Sequence, residues 1–412
     1  MSFSNGTYVN PAARRSLVAF LVAILVSYVL YGWDRVAVSV ELVSIQSSFH
    51  ISAVRAGFLS SMFTMGLSFM ALPASKAIQK IGMFWSFVVS SLVFSASTVC
   101  GGFATSLPLL IASRVVTGIG EAMFSVTLFG FLGSAFPRQR GLMTGLAAAV
   151  FGFSLFVGPP AISWIETKSE SWRVPLIIIG TIGVAVSLFA MTLRSRVAPL
   201  MERQNGHVNE HTSWALKDLG RLLADFRVSC LLICAVIGGT GFYSFLTMFK
   251  SYAETHLHLP ALTASFILGY FGLGTIVGGV LIGYCLDRVS RTLGLAALLS
   301  TSGVLATVMF GSHVTILTAS ILSFLLGAVM SSIYNNCVAL MQDVTLKKDI
   351  VFATGLLLTV YYFSASFSGA IFVAAMTLPS PLGSLALYLV PYLFAAMILL
   401  LSATVRREVR DI

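Results

Sequence analysis

Charge is scarce in this chain. Of its 412 residues only 10% are charged, with fifteen Asp and Glu against twenty-five Lys and Arg. Soluble domains carry about 25% charged residues, so the 57% hydrophobic content excludes a water-soluble globule. Cysteine is also sparse. The five, Cys100, Cys230, Cys234, Cys285 and Cys337, are odd in number, lack metal-ligand spacing and fall within or beside apolar runs. They read as small apolar packing residues, not a disulfide framework or metal site. All six histidines fall in predicted loops, and His256 and His258, two apart, read as solvent-exposed. HExxH, nucleophile-elbow and phosphate-loop motifs are all missing, which argues against an enzyme and against any bound cofactor or metal. No cleavable signal peptide is expected, because the first apolar run is too long and no small-residue cleavage site follows it.

What the chain has is long apolar runs. A membrane-spanning helix needs about 20 mostly apolar residues, and twelve candidates meet that, near 16–38, 53–75, 83–104, 108–131, 141–164, 173–194, 229–250, 264–286, 293–311, 315–340, 351–375 and 383–405. The runs are long and do not alternate, so they predict helices, not a β-barrel. The net charge of +10 does not point to nucleic acid, because of where it sits. Nineteen Lys and Arg lie in alternate loops and at the termini, four (Arg55, Lys168, Arg173, Lys250) lie on the opposite side, and Arg35 and Arg114 fall inside spans. That asymmetry is the positive-inside signature. It predicts both termini in the cytoplasm, as the even helix count does. Short loops, and an Asn5-Gly6-Thr7 acceptor confined to the predicted cytoplasmic tail, suit a bacterial inner membrane.

The polar stretch 196–228 divides the spans six and six. The expected organisation is an N-terminal six-helix bundle at 1–195, a cytoplasmic linker at 196–228 and a C-terminal six-helix bundle at 229–412. Trp214 to Phe226 has apolar residues near helical spacing and predicts a short amphipathic linker helix. The halves look related: Gly66…Ser75…Gln79-Lys80-Ile81-Gly82 aligns with Gly274…Gly283…Asp287-Arg288-Val289-Ser290 at an offset of 208. Repeated six-helix halves are a common build of secondary transporters, whose substrate site lies near mid-membrane between them. The fold class is therefore all-α integral membrane, with two pseudo-symmetric bundles.

Asp34, Arg35, Arg114 and Glu121 are the ionisable residues that stand out inside these runs. Each costs roughly 2.5–3.5 kcal/mol at the centre of a lipid-facing helix, so each must face the others or a watery cavity. Adjacent helical residues diverge by about 100°, so Asp34 and Arg35 cannot share one partner. One is expected to face the fourth span and the other the central cavity. Arg114 and Glu121 lie seven apart, on one face of that fourth span.

Gly283-Tyr-Cys-Leu-Asp287-Arg288-Val-Ser-Arg291 closes the eighth span in a tight turn. It resembles the signature loop of the major facilitator superfamily, found after the second helix and repeated after the eighth. The resemblance implies a cytoplasmic gate made by Gly283, Asp287, Arg288 and Arg291. In the first copy Gln79 stands where the acid belongs, and Met83 and Phe84 where bases belong. A sharper resemblance rests on the Asp34-Arg35 pair, on Arg114-x-x-x-Gly118-x-Gly120-Glu121-Ala122, on Phe136-Pro137…Arg140-Gly141 and on Trp172-Arg173. Together these resemble the anion:cation symporter family, over the first half above all. Such carriers move organic anions with protons. The resemblance implies Asp34 and Glu121 as proton carriers, Arg114 as their coupling partner and Arg35 as the anion contact.

Physical chemistry permits those roles. Burial favours the neutral form of a carboxylic acid and a nearby arginine favours the charged form, so an acid whose arginine is shared with a substrate can change protonation as substrate arrives. Arg35 suits a carboxylate because guanidinium is planar, forked and always charged. A static ion network joining the first and fourth spans is the alternative. Tyr31, Asn335, Asn336, Tyr361 and Tyr362 are expected to contact substrate. Glu41, seven beyond Asp34, is either a gate or proton entry point or a solvated loop residue, and Lys250 is expected to snorkel at the interface. Where several sugar-acid carriers place an amide in the fifth span, this chain has Phe151-Gly152-Phe153-Ser154, which favours a less hydroxylated anion. The expected function is proton-driven uptake of a small organic anion by a monomer in the bilayer, without nucleic acid. Proton-antiport efflux of amphipathic solutes and a non-transporting sensor are the alternatives.

Overall fold

The computed structural model describes residues 11–135, 140–202, 216–282, 285, 288–346 and 349–410. Among them, nine helices are long and apolar enough to cross a bilayer unaided. These are α1 (Pro11–Val40), α3 (Met83–Gly102), α4 (Leu107–Ala135), α5 (Arg140–Ser169), α6 (Arg173–Thr192), α7 (Phe226–Thr255), α9 (Arg291–Gly311), α10 (Ile316–Val344) and α12 (Val390–Arg410, entered through Leu382–Ser384 and Leu385–Leu389). Two further spans are bent. In α2, Ala53–Ala71 and Ala74–Ile81 meet at 62°, and in α11, Ile350–Ala365 and Ser368–Met376 meet at 42°. Pro73 lies at the first bend, where its missing N–H interrupts the helical ladder. The twelfth is α8 (Ala261–Val277), prolonged by a π-helical turn, Gly278–Ile282. Among the described residues each predicted span has a helix, and with twelve of them the start of α1 and the end of α12 lie at one end of the bundle, here the near end.

Large apolar side chains such as Leu25, Phe103, Trp164, Phe189, Leu317 and Leu401 point outward and are exposed. On a soluble protein that surface would aggregate, whereas around a helical bundle in lipid it is the solvated face. Inside, small residues replace bulk where helices cross. A Cβ on Gly66 of α2 would stand 2.0 Å from the Val115 carbonyl oxygen of α4, and one on Gly118 1.8 Å from that of Phe63. The last six helices repeat the device: Gly274 of α8 would place a Cβ 1.9 Å from the Phe324 oxygen, and Gly327 of α10 one 2.0 Å from the Phe271 oxygen. Gly66 and Gly274 are the pair related by the 208-residue offset.

The first and last six helices meet along α1–α7, α2–α11 and α5–α8. Ser61 Oγ donates to the Ser366 carbonyl (2.8 Å) at the α11 bend, and Ser68 Oγ to that of Thr359 (2.9 Å). Gly57 and Gly369 meet backbone to backbone, each lacking room for a Cβ. Between α6 and α7 lie two short helices, Arg194–Glu202 and Leu216–Ala224. The second is the predicted linker helix, less Trp214, which falls outside the described residues. Arg221 ties it to Asp349 at 2.7 Å, and Asp225 caps α7 by accepting from the Arg227 N–H at 2.9 Å. Of the gate residues, Gly283 and Asp287 lie outside the described residues, and Arg291 pairs with Asp343 of α10 at 2.8 Å.

The α2–α4 crossing tolerates no side chain at Gly118. Overpacking a filled core costs about 1–3 kcal/mol. Gly118→Ala is therefore expected to lower the thermal unfolding temperature of the detergent-purified protein, while Gly145→Ala, where nothing lies within 4 Å, leaves it unchanged.

Candidate functional site

Helices α1 and α4 carry two opposed charge pairs, all four side chains buried. Arg35 Nε donates to Glu121 Oε2 at 2.9 Å. Arg114 Nη1 reaches both Asp34 oxygens, at 3.2 and 3.3 Å. The 100° divergence between Asp34 and Arg35 is absorbed because their partners stand two turns apart on α4. Both residues engage α4, and Arg35 also turns toward the second bundle, as one of the two was expected to do. Arg114 is Asp34's partner, not Glu121's. Thr98 of α3 steadies this pair, donating to Asp34 Oδ1 at 2.5 Å and accepting from Arg114 Nη2 at 3.1 Å; Thr117 Oγ1 accepts from the same nitrogen at 3.0 Å.

Each pair leaves one buried polar atom without a partner, Arg114 Nε in one and Glu121 Oε1 in the other. Both Asp34 oxygens accept hydrogen bonds, whereas Glu121 Oε1 has no donor and faces the Asp34 carboxyl.

Arg35 also reaches the other bundle. Its Nη1 donates to the Tyr243 hydroxyl of α7 at 3.0 Å, and its Nη2 to the Tyr31 hydroxyl one turn back on α1. Aromatic rings surround the guanidinium: Tyr31 at 4.3 Å, Phe151 at 5.6 Å, Phe63 at 5.9 Å and Tyr362 at 6.0 Å. Cations favour such ring faces. Tyr361 and Tyr334 extend the lining, with ring centroids 6.2 Å from Tyr243 to Tyr361 and 5.1 Å from Tyr361 to Tyr334.

Of the expected substrate contacts, Tyr31, Tyr361 and Tyr362 gather here. The two amides do not join them. Asn336 is buried and donates to the Ser332 carbonyl of its own helix at 2.8 Å, and Asn335 is exposed. Helix α10 contributes Tyr334 in their place. Ser154 of α5 is likewise occupied, donating to the Val29 carbonyl at 2.7 Å, so α5 presents Phe151 to Arg35. Tyr243, Phe63 and Thr98 were not foreseen. Tyr243 had a signal: it lies 208 residues from Arg35, the offset of the internal repeat, and is thus the counterpart of Arg35 in the second bundle.

A family model described as Major Facilitator Superfamily matches residues 24–369. The D-galactonate transporter of Escherichia coli O6:H1 is 26% identical over 68% of this chain and 69% of its own length. The hexuronate transporter of Bacillus subtilis is 26% identical over 72% of this chain and 71% of its own length. An uncharacterized transporter of Bacillus subtilis is 30% identical, but the match spans 39% of this chain and only 37% of that protein. Among solved structures, an inward-facing bacterial homologue of the human lysosomal transporter Spinster superposes at a TM-score of 0.68, with 14% identity and 96% of each chain covered. The D-xylose-proton symporter superposes at 0.67, with 16% identity over 93% of this chain and 97% of that one.

Breaking one buried ion pair leaves its partner charged and uncompensated, at a cost of about 3–5 kcal/mol, whereas removing both members is often neutral. Arg114→Met is therefore expected to lower the unfolding temperature sharply, and Asp34→Leu with Arg114→Met to recover most of the loss, as read by thermal unfolding in detergent.

Proposed function

Since this chain belongs to the Major Facilitator Superfamily, as a multi-pass membrane transporter and not an enzyme, we propose that it moves a small organic anion together with protons by alternating access. The observation that carries this reading is Arg35: one guanidinium holding a carboxylate of the first bundle and a hydroxyl of the second. A substrate carboxylate arriving between the bundles competes for the same donors. It takes the forked face now given to Tyr243 and Tyr31, because charge-assisted bonds are roughly twice as strong as those to a neutral hydroxyl. Drawing Arg35 toward substrate removes from Glu121 its one cation. In a dry site Glu121 then takes a proton, shared with Asp34, so anion and proton load together. Arg114 keeps Asp34 in place throughout.

The remaining parts follow. The bundles 1–195 and 229–412, joined by 196–228, rock about the α1–α7 contact. The nineteen basic residues of the near-end loops and termini, against four at the far end, put the near end in the cytoplasm and the far end outside, in a bacterial inner membrane. Relatives named for galactonate and hexuronate support an acidic substrate. The aromatic wall around Arg35, with the amides turned away, supports a carboxylate on an aromatic or aliphatic body over a polyhydroxylated one.

Asp34→Asn and Glu121→Gln are expected to abolish accumulation driven by an imposed inward proton gradient in proteoliposomes while retaining substrate counterflow. Normal accumulation by both variants would remove the coupling role. Arg35→Lys, losing the fork, is expected to weaken anion binding by at least about tenfold, measured by thermal shift against aromatic and sugar acids at two pH values. Stronger stabilisation by galactonate than by aromatic acids would overturn the substrate class.

A further inference from the structure

A second group of ionisable side chains lies at the far end, two helical turns beyond Asp34. Glu41, in the turn after α1, is completely buried, and no donor reaches either carboxyl oxygen. What stands within hydrogen-bonding reach is another carboxyl, Glu166 of α5. Glu166 is half-buried and already accepts from Ser44 Oγ of the short helix Leu42–Phe49. The other charges facing Glu41 come from α7: Lys250 and Glu254. Lys250 does not snorkel as the sequence suggested. It is buried, 2.7 Å from Glu254 Oε1, and donates to the Val40 carbonyl, next to Glu41. Nearby basic groups are engaged elsewhere: Arg173 Nη1 donates to the Ala104 and Gly102 carbonyls at 2.6 and 3.2 Å, and Arg114 is held by Asp34.

Three carboxyls therefore share one ammonium, and that ammonium is committed to Glu254 and to a backbone oxygen. Two facing carboxylates with no donor between them repel, and in a buried setting neither is hydrated. One proton between them removes the repulsion and supplies the missing hydrogen bond. We propose that Glu41 and Glu166 bind one proton between them, a second proton site separate from Asp34 and Glu121, and that this proton seals the far end of the transporter.

The seal works through two links that share one stretch of backbone. The bridged carboxyls tie the end of α1 to α5, and Lys250 ties α7 of the second bundle to α1 at Val40. When the proton leaves, ionised Glu41 repels Glu166 and draws Lys250 from the Val40 carbonyl to itself, so the α1–α5 link breaks while α7 stays tied to the end of α1; the two links lie in series, and losing one opens the chain from α5 to α7. Proton loss at high pH at this end thus favours opening, and protonation at low pH favours closure. The inference rests on membership of the transporter family, not on which solute is carried, and its test needs no substrate.

The experiment uses the full-length protein in nanodiscs, cysteine-free except for spin labels at positions 55 and 378, exposed sites flanking this end on α2 and after α11. Electron–electron resonance distances are compared at about pH 6 and about pH 11, because burial and the facing Glu166 push the Glu41 carboxyl up to about 11. The unmutated pair is expected to lengthen at the higher pH. Glu41→Gln, whose amide donates to Glu166 as the proton would, is expected to stay short at both values, and Glu166→Gln on the less buried member is expected to do the same should Glu41→Gln fold poorly. Infrared difference spectra are expected to lose one protonated-carboxyl band in either variant, and Asp34→Asn is expected to keep the pH-dependent lengthening. A pH-independent distance in the unmutated pair, unchanged lengthening in the glutamine variants, or lengthening abolished by Asp34→Asn alone would each overturn the proposal. Failure of anion uptake would bear only on the substrate reading.

Discussion

Two carboxylates and two guanidinium groups sit in the apolar interior of the first bundle, and everything else about the site depends on how they are compensated. Isolated, each would carry a desolvation penalty of several kcal/mol. Placed as two pairs between α1 and α4, they hold those helices at a fixed rotation, because Asp34 and Arg35 diverge on one helix while Arg114 and Glu121 align on the other. The Asp34–Arg114 pair is braced by Thr98 and Thr117, with Arg114 Nε left without a partner. The Arg35–Glu121 pair leaves a carboxyl oxygen open and lends its cation to Tyr243 across the bundle interface. Each pair leaves one polar atom open, but among the described residues only the Arg35–Glu121 pair also reaches the second bundle.

The fold was almost wholly legible from residue order. All twelve spans follow from apolar runs of membrane-crossing length, and the glycines of the second and eighth spans sit where the repeat placed them. The four intramembrane charges identified the site for an equally simple reason: lipid makes each of them too costly to be incidental. Less legible was who faces whom. Angular divergence on α1 argued against a common partner for Asp34 and Arg35, yet gave no reason to assign both to α4. That required knowing that α4 stands within side-chain reach of α1 at two points, two turns apart on α4.

The remaining differences share one physical origin: polar side chains near helix ends or within spans have several ways to be satisfied. Lys250 had a stem long enough to reach the interface, but a carboxylate one turn along α7 and a free carbonyl on α1 held it inside. Asn336 found its own backbone, and Ser154 that of α1. Periodicity does not distinguish these outcomes, because the deciding partner belongs to another helix. Tyr243 is the instructive exception. It carries no charge to attract notice, but the internal repeat maps it onto Arg35, and quasi-symmetry brings the two counterparts together at the interface.

Where Gly57 and Gly369 touch, the two bundles meet without any side chain between them. A contact built from interlocked side chains must lift each knob from its hole before it shifts, which raises a barrier at every step. Bare backbone against bare backbone offers a smooth track with no rotamers to rearrange. At that point α2 and α11 can slide without repacking, and what holds their register is the row of serine hydrogen bonds beside it, from Ser61 and Ser68, each able to break and re-form one at a time.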